Sequence, residues 1–563
     1  MNRPPSGRSP SGRPPSGRPS LPPEATQRLL DNVAAKYGSF GARPPEENVD
    51  RRVLADHFLK PTLQIIAGVF LATIFASIIS HPSWSAPDVW ANSFRLDSAL
   101  VIIWGPLLWW AMSRLRIWKS VRIYLVLSLT IESFSESMFR DLGLAEGGGY
   151  WNTVMWPAAV AWYGTLKEFA GIPGVSLSTF FFVTVFLLYR AVYGKKDENY
   201  APPPKFAHRA LLVFLCTIAG LAALGIARGG GTEWAFRQTI HLLQLSLVAM
   251  LFLYALRIPD DLAAVGTAFV AAAVARSLLV FYVYFGVCMP AGITKLPGKP
   301  EWCTNHSDTV LFVSALMILI SHALEQRNRK VILRSLGLGA VILLGIILNN
   351  RRLAFVSLSA APLAMYFALR PSKRKRRVTI ALAVLVPLLV GYVLVGSEIN
   401  SPSPLLKPAK LVVSVMDQKD ASSQSREIEN ENLVFTLSKA PLVPTGFGHE
   451  YQYSPNNPPV DLGYLFGNYL LIAHNGVLWI WSLAGVVGFS LLWFLYPLAG
   501  TFALRSYRSA SSHLERSAAL ASFAIVVVVI VQIWGDQGFN SYMTLLTFAV
   551  AFAVAARLAA RVA

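Results

Sequence analysis

Lys373-Arg-Lys-Arg-Arg-Val-Thr-Ile-Ala-Leu-Ala-Val-Leu-Val-Pro-Leu-Leu-Val-Gly-Tyr-Val-Leu-Val-Gly396 is the stretch from which the fold is read. Five consecutive cations precede an apolar run that carries no further charge. A helix of about 20 apolar residues crosses the hydrocarbon core of a bilayer, and Lys and Arg collect at its cytoplasmic end. The same unit recurs along the chain. Apolar blocks predict spans at 62–80, 98–113, 123–140, 174–193, 209–227, 239–256, 263–285, 307–322, 331–348, 353–369, 377–396, 476–497, 516–533 and 540–558. The expected fold class is all-α, a polytopic membrane protein with about 14 transmembrane helices and one large periplasmic loop.

Composition points the same way. Of 563 residues 54% are hydrophobic and 14% charged, whereas a soluble domain carries roughly 25% charged residues. These charges are too few to coat two or more soluble domains, which excludes an ordinary cytosolic enzyme. Lys+Arg number 50 against 31 Asp+Glu. The excess lies between apolar blocks, so it reads as a topology signal and not as a nucleic-acid surface. Three Cys exclude a disulfide scaffold. Residues 1–23 repeat a Pro/Ser/Gly/Arg unit with Arg3, Arg8, Arg13 and Arg18 five apart, a composition that buries no core and predicts disorder. No apolar stretch near the start marks a cleaved signal peptide. This tail reads as a solvated topology signal or as a contact to anionic lipid or an acidic partner. The expected organisation is a basic tail and linker at 1–60, N-terminal transmembrane helices at 61–230 and a transmembrane core with outer Arg residues at 231–396. A periplasmic catalytic loop at 397–475 and C-terminal helices at 476–563 complete it.

Loop charges orient the spans. Arg114, Arg116, Lys119 and Arg122 share one loop, Lys195, Lys196 and Lys205 a second, and Arg327, Arg329 and Lys330 a third. Lys373 to Arg377 form a fourth, and Arg505 with Arg508 a fifth. All fall on the side of the N-terminus, so both termini are expected in the cytoplasm of a bacterial inner-membrane protein. Residues 153–170 break the count if they cross. They read as a re-entrant or interfacial helix with Trp151, Trp156 and Trp162 at headgroup depth. The largest outer loop, 397–465, is rich in Pro, Ser, Asn and Glu. Cys288 and Cys303 share another outer loop, where an oxidising periplasm permits a disulfide or leaves two thiols. Cys216, inside a span, reads as packing.

Some charged residues oppose the insertion bias. Arg228, Arg237, Arg351, Arg352 and Arg426 fall on the outer side. Each reads as an interfacial Arg reaching for headgroups, or together as a grip on a lipid-linked pyrophosphate, because the guanidinium fork binds phosphate oxygens in pairs. His474, in Ile472-Ala-His-Asn-Gly476, begins a span, and histidine is the residue type most often used as a general base, so it is a candidate base as well as an interfacial residue. His449 and the His306/Asp308 pair are secondary candidates, with Asn475 placed to fix the His474 tautomer. No metal-ligand spacing is present, and no nucleotide or serine-hydrolase motif. The expected metal and cofactor complement is none.

Five pieces in order carry a resemblance. They are Ser425-Arg426, the run Asn432-Leu-Val-Phe-Thr-Leu-Ser-Lys-Ala-Pro-Leu-Val-Pro-Thr-Gly-Phe-Gly448, His474-Asn475, Ala484-Gly-Val-Val-Gly488, and the earlier Asn350-Arg-Arg-Leu-Ala354. Together they resemble the core of the O-antigen ligase and Wzy polymerase superfamily, GT-C-like membrane enzymes, over roughly 230–500. Arg237-Gln238 resembles a further family Arg. Where the family often has an acidic residue before Gly-x-x-Gly, this chain has Ala484. The resemblance implies a glycosyltransferase that moves a glycan from an undecaprenyl-pyrophosphate carrier to an acceptor glycan or glycolipid, outside the inner membrane, with inversion and without a metal. It implies His474 as base and Arg237, Arg351, Arg352 and Arg426 as diphosphate or glycan contacts. The Gly446-Phe-Gly448 turn would admit the glycan close to the backbone. Polymerisation of exopolysaccharide or O-antigen repeats is the leading expectation, and ligation to lipid A core or protein the alternative. A lipid-linked glycan flippase is favoured by Glu132, Glu136 and Arg276 within spans and opposed by the lack of an internal repeat. A scaffold in an envelope polysaccharide export assembly rests on the basic tail alone.

Overall fold

The computed structural model describes residues 56–80, 107–131, 158–159, 161–164, 177–194, 202–290, 292, 294, 303–326, 328–399, 403, 406–414, 421–457 and 470–562. The tail and most of its linker lie outside these residues. So do Glu132, Glu136, Trp151, Trp156, Lys195, Lys196, Arg327, the start of the expected 98–113 span and the end of 123–140.

Helices follow one another as α1 (Asp56–Ser80), α2 (Ile117–Thr130), α3 (Thr179–Tyr193), α4 (Lys205–Ala227), α5 (Thr232–Ala255), α6 (Asp261–Phe281), α7 (Asp308–Glu325) and α8 (Arg329–Asn349). They continue as α9 (Arg352–Ala368), α10 (Lys373–Glu398), α11 (Lys407–Ser414), α12 (Ala421–Lys439), α13 (Gly476–Trp493), α14 (Leu495–Ser509), α15 (His513–Gly535) and α16 (Tyr542–Val562). Among the described residues nine helical stretches are long and apolar enough to cross a membrane, and three shorter apolar helices join them. The chain is a multi-pass, all-helical membrane protein wherever it is described. Span boundaries are set by polar caps: Ser178, Asn328, Ser372, Asn475 and Ser512 each accept a backbone N–H of the first turn, which satisfies donors the helix cannot.

α5, α6, α7 and α16 form the buried centre, α5 lying along α16 and α7 along α15. Inside it Arg276 of α6 pairs with Asp308 of α7 at 2.5 Å, both side chains almost fully buried. The intramembrane charge is thus compensated where it lies, and Asp308 turns toward the bundle interior. At one end of the bundle Glu325 receives Arg374 at 2.9 Å and Arg516 at 3.0 Å, tying the ends of α7, α10 and α15. The opposite end carries the cluster described below.

Two expectations are corrected. Trp162 is buried, with its indole N–H donated to Ser128 Oγ, because burying so large a ring needs a partner for its donor; it packs inside the protein and does not present its ring to headgroups. Cys216 is exposed on α4 and is not a packing residue. Within the 397–465 segment the described residues include α11 and α12.

Candidate functional site

α12 carries Arg426, Glu429, Asn430 and Leu433, the i, i+3, i+4 and i+7 positions of one helical face. Leu433 is fully buried and seats the helix. Glu429, also buried, meets the segment before α13: its Oε2 accepts the backbone N–H of His474 at 3.1 Å and lies 3.1 Å from His474 Nδ1, with Oε1 at 3.3 Å. An ionised carboxylate here is satisfied by the Nδ1–H tautomer, which leaves Nε2 as the ring's lone-pair nitrogen. Asn475 does not do this work. Its Oδ1 caps α13 through Leu478 N, and its amide donates to Asn430 Oδ1 at 3.0 Å.

Arg426 donates to Gly535 O at 2.7 Å, at the end of α15. The next residue, Asp536, faces His306, with Oδ2 3.5 Å from Nδ1. Burial alone would raise the Asp536 carboxyl. The His306 hydrogen bond and the charges of His306, Arg426 and His474 outweigh it and hold the group well below the usual carboxylate range. His306 is pushed down by burial and by the Arg351 and Arg426 charges, against a smaller upward pull from Asp536. His474, Arg426, Asp536, His306 and Arg351 therefore share one electrostatic neighbourhood.

The second arginine element arises from local chain chemistry. Asn350 ends α8 in the left-handed conformation, φ 58°, which Asn tolerates better than most residues. This turn delivers Arg351 and starts α9 at Arg352. The preceding Asn349 is buried, and its Oδ1 accepts Cys303 N at 3.1 Å and Thr304 N at 2.9 Å, fixing the turn that bears His306 against the arginines. Arg352 Nη1 approaches Ser423 Oγ of α12 at 3.5 Å.

Among the described residues Arg237 pairs with Glu233 at 2.7 Å, and not with this cluster, and lies over the Trp234 ring. Its neighbour Gln238 has the structural role. Buried at 2% exposure, Gln238 accepts Gly448 N at 2.6 Å and donates to His449 O at 2.9 Å and Leu471 O at 2.8 Å. It clamps the Gly446–His449 turn to the segment leading to His474. The His449 ring lies 3.2 Å from Gly225 O of α4. Cys288 and Cys303 are both buried beside Tyr284, but no disulfide joins them here; Cys303 Sγ lies 3.6 Å from Leu348 O. Among the described residues no group of three or more His, Cys, Asp or Glu is placed to hold a metal ion.

Glu429, Asp536 and Gln238 were not singled out by sequence. Only Glu429 left a signal, one turn beyond Arg426 on the same face. Asp536 reaches the site from a span end 110 residues beyond Arg426, a proximity that no local pattern encodes.

No curated protein matches the chain. A family model described as O-antigen ligase matches residues 337–493, a segment that contains Arg351, Arg352, Arg426, Glu429 and His474 and leaves out His306 and Asp536. Within a multi-pass helical membrane body, residues 337–493 are thus similar to the O-antigen ligase family.

Proposed function

We propose that the protein is an inverting glycosyltransferase that moves a glycan from an undecaprenyl-pyrophosphate carrier to an acceptor hydroxyl at the periplasmic face of the inner membrane. The observation that carries this reading is the convergence of a Glu429-oriented His474 with Arg426, one turn away, and Arg351 around His306. His474 Nε2 takes the acceptor proton as the acceptor oxygen bonds to the anomeric carbon. The carbon–oxygen bond to the carrier breaks, and its electron pair leaves on the diphosphate. Arg351, Arg352 and Arg426 face that developing charge as fixed guanidinium donors. Attack opposite the leaving diphosphate inverts the anomeric centre.

Polymerisation of surface-polysaccharide repeats is the form we favour; ligation to lipid A core or protein differs only in the acceptor. Purified protein given a defined lipid-linked donor should transfer its glycan to a second lipid-linked repeat, and His474→Ala should lose turnover while retaining donor binding. Transfer only to lipid A core would select the ligase. Donor binding without transfer to any acceptor would select a flippase or scaffold. Because guanidinium groups can carry the diphosphate charge, transfer should survive chelation by EDTA. A loss restored by Mg²⁺ would assign that charge to a cation instead.

A further inference from the structure

The segment Ala440-Pro-Leu-Val-Pro444 links α12 to the Gly446–His449 turn, and the reaction has no use for it. We propose that it is a re-entrant tip, inserted into the bilayer to complete the broken span α13, with Leu442 and Val443 in contact with lipid acyl chains.

α13 is interrupted inside its apolar stretch. Gly485 has φ 60° and ψ 178°, a conformation essentially reserved for glycine. The break frees backbone groups that lipid cannot satisfy, and non-helical backbone at membrane depth persists only where protein covers it. The tip supplies that cover. Pro441 O accepts Val486 N at 3.2 Å, and Gly446 N donates to Leu483 O at 3.0 Å. A Cβ at position 485 would stand 2.8 Å from Leu442 O, so the tip backbone sits directly against the break.

Depth follows from α4, on the other flank. Phe447 N donates to Leu221 O, and Leu221 also packs on Gly488 just beyond the break. Leu221 is seven residues before Arg228, which places this level about 10 Å inside the end of the helix. Arg228 donates back to Pro444 O, an interfacial cation holding the neck of the tip. Leu442 is 68% exposed and Val443 56%. On the two spans that the tip backbone touches, Ile226 of α4 and Val487 of α13 are exposed as well, on apolar helices whose outward faces the bilayer must cover. The tip therefore continues a lipid-facing surface, and it fixes the level of α12 and its Arg426 and Glu429.

Cysteine labelling tests this. Leu442→Cys, Val443→Cys and, as an aqueous reference, Glu450→Cys are placed in the otherwise natural chain. Its own thiols are buried at Cys288 and Cys303 or on the outward face of apolar α4 at Cys216. Reconstituted membranes opened to both faces receive a charged maleimide, which reacts with thiolates in water. Glu450→Cys should label readily, and the two tip variants at least about tenfold more slowly. A solvatochromic dye on residue 442 or 443 should be quenched by acyl-chain spin-labelled lipid and not by aqueous iodide. Labelling of both tip variants at the Glu450→Cys rate, or iodide quenching of the dye, overturns the proposal.

Discussion

Glu429 decides what His474 can do. A carboxylate that holds both the backbone N–H and Nδ1 of one histidine fixes ring rotation and tautomer together. Glu429→Gln keeps the shape but brings an amide donor toward the ring. Turnover should fall by about 10²–10⁴-fold, as expected for misassigning or removing a general base. Donor binding should persist, and His474→Ala should cost no more when added to Glu429→Gln than the pair's shared role allows. Additive losses in the double variant would separate the two residues. His449→Ala is the control, since its ring meets Gly225 O and not this pair.

His306 is a different case at the same scale. Its native pKa lies below the ordinary histidine value, so the unfolded chain takes up this proton first as pH falls. That uptake favours unfolding, and the native state loses stability in the window from the ordinary value, about 6.5, down to the lowered one. His306→Asn removes the titration. The melting temperature of the natural protein in detergent should therefore drop more between pH 7.5 and 5.5 than that of the variant. Equal drops would mean that the proton is accommodated without cost.

At the scale of elements, the arginines belong to the α8–α9 connection and to α12. Arg351→Ala or Arg352→Ala should lower glycan transfer at least tenfold with insertion intact, since a charge-assisted hydrogen bond is worth about 1.5–3 kcal/mol. Arg→Lys should rescue only in part, because Lys lacks the fork. Full activity in both Ala variants would make them headgroup anchors. The nine long apolar stretches among the described residues, against about 14 spans expected, were legible in sequence because an apolar block of bilayer length has few other readings; α10 is an example. α12 was not, because Ala421–Lys439 is polar on most sides and Pro- and Ser-rich flanks concealed its period. Arg351, Arg352, Arg426 and His474 were legible as residues that violate a charge rule or start a span. Arg237 satisfied the same rule, yet its charge is taken by Glu233. What separates it from the others is this acidic partner one turn earlier on its own helix, an i, i+4 pair that the sequence does display.

For the whole molecule, the two ends of the bundle have opposite characters. One gathers Lys373–Arg377, Arg505, Arg508 and the Glu325 network; the other gathers the His474 cluster. Basic residues are retained in the cytoplasm during insertion, and a pyrophosphate-linked glycan presented outside needs its arginines on the far side. The same chain direction that puts α10's cations at one end therefore delivers α12 to the other. A topology reporter in the loop should respect α12, so Ser422, inside that helix, is a poor site. Asn456, in the exposed turn where Asn457 N meets Ser454 O at 2.9 Å, interrupts no helix. Alkaline phosphatase inserted at Asn456 should be active, and a cytoplasm-only fluorescent reporter there dark, with the reverse for fusions at the C-terminus. An inactive phosphatase at Asn456 with a bright reporter would put the His474 cluster in the cytoplasm. The positive charges would then face outward, and the periplasmic reaction would have to be abandoned even if the site geometry stood.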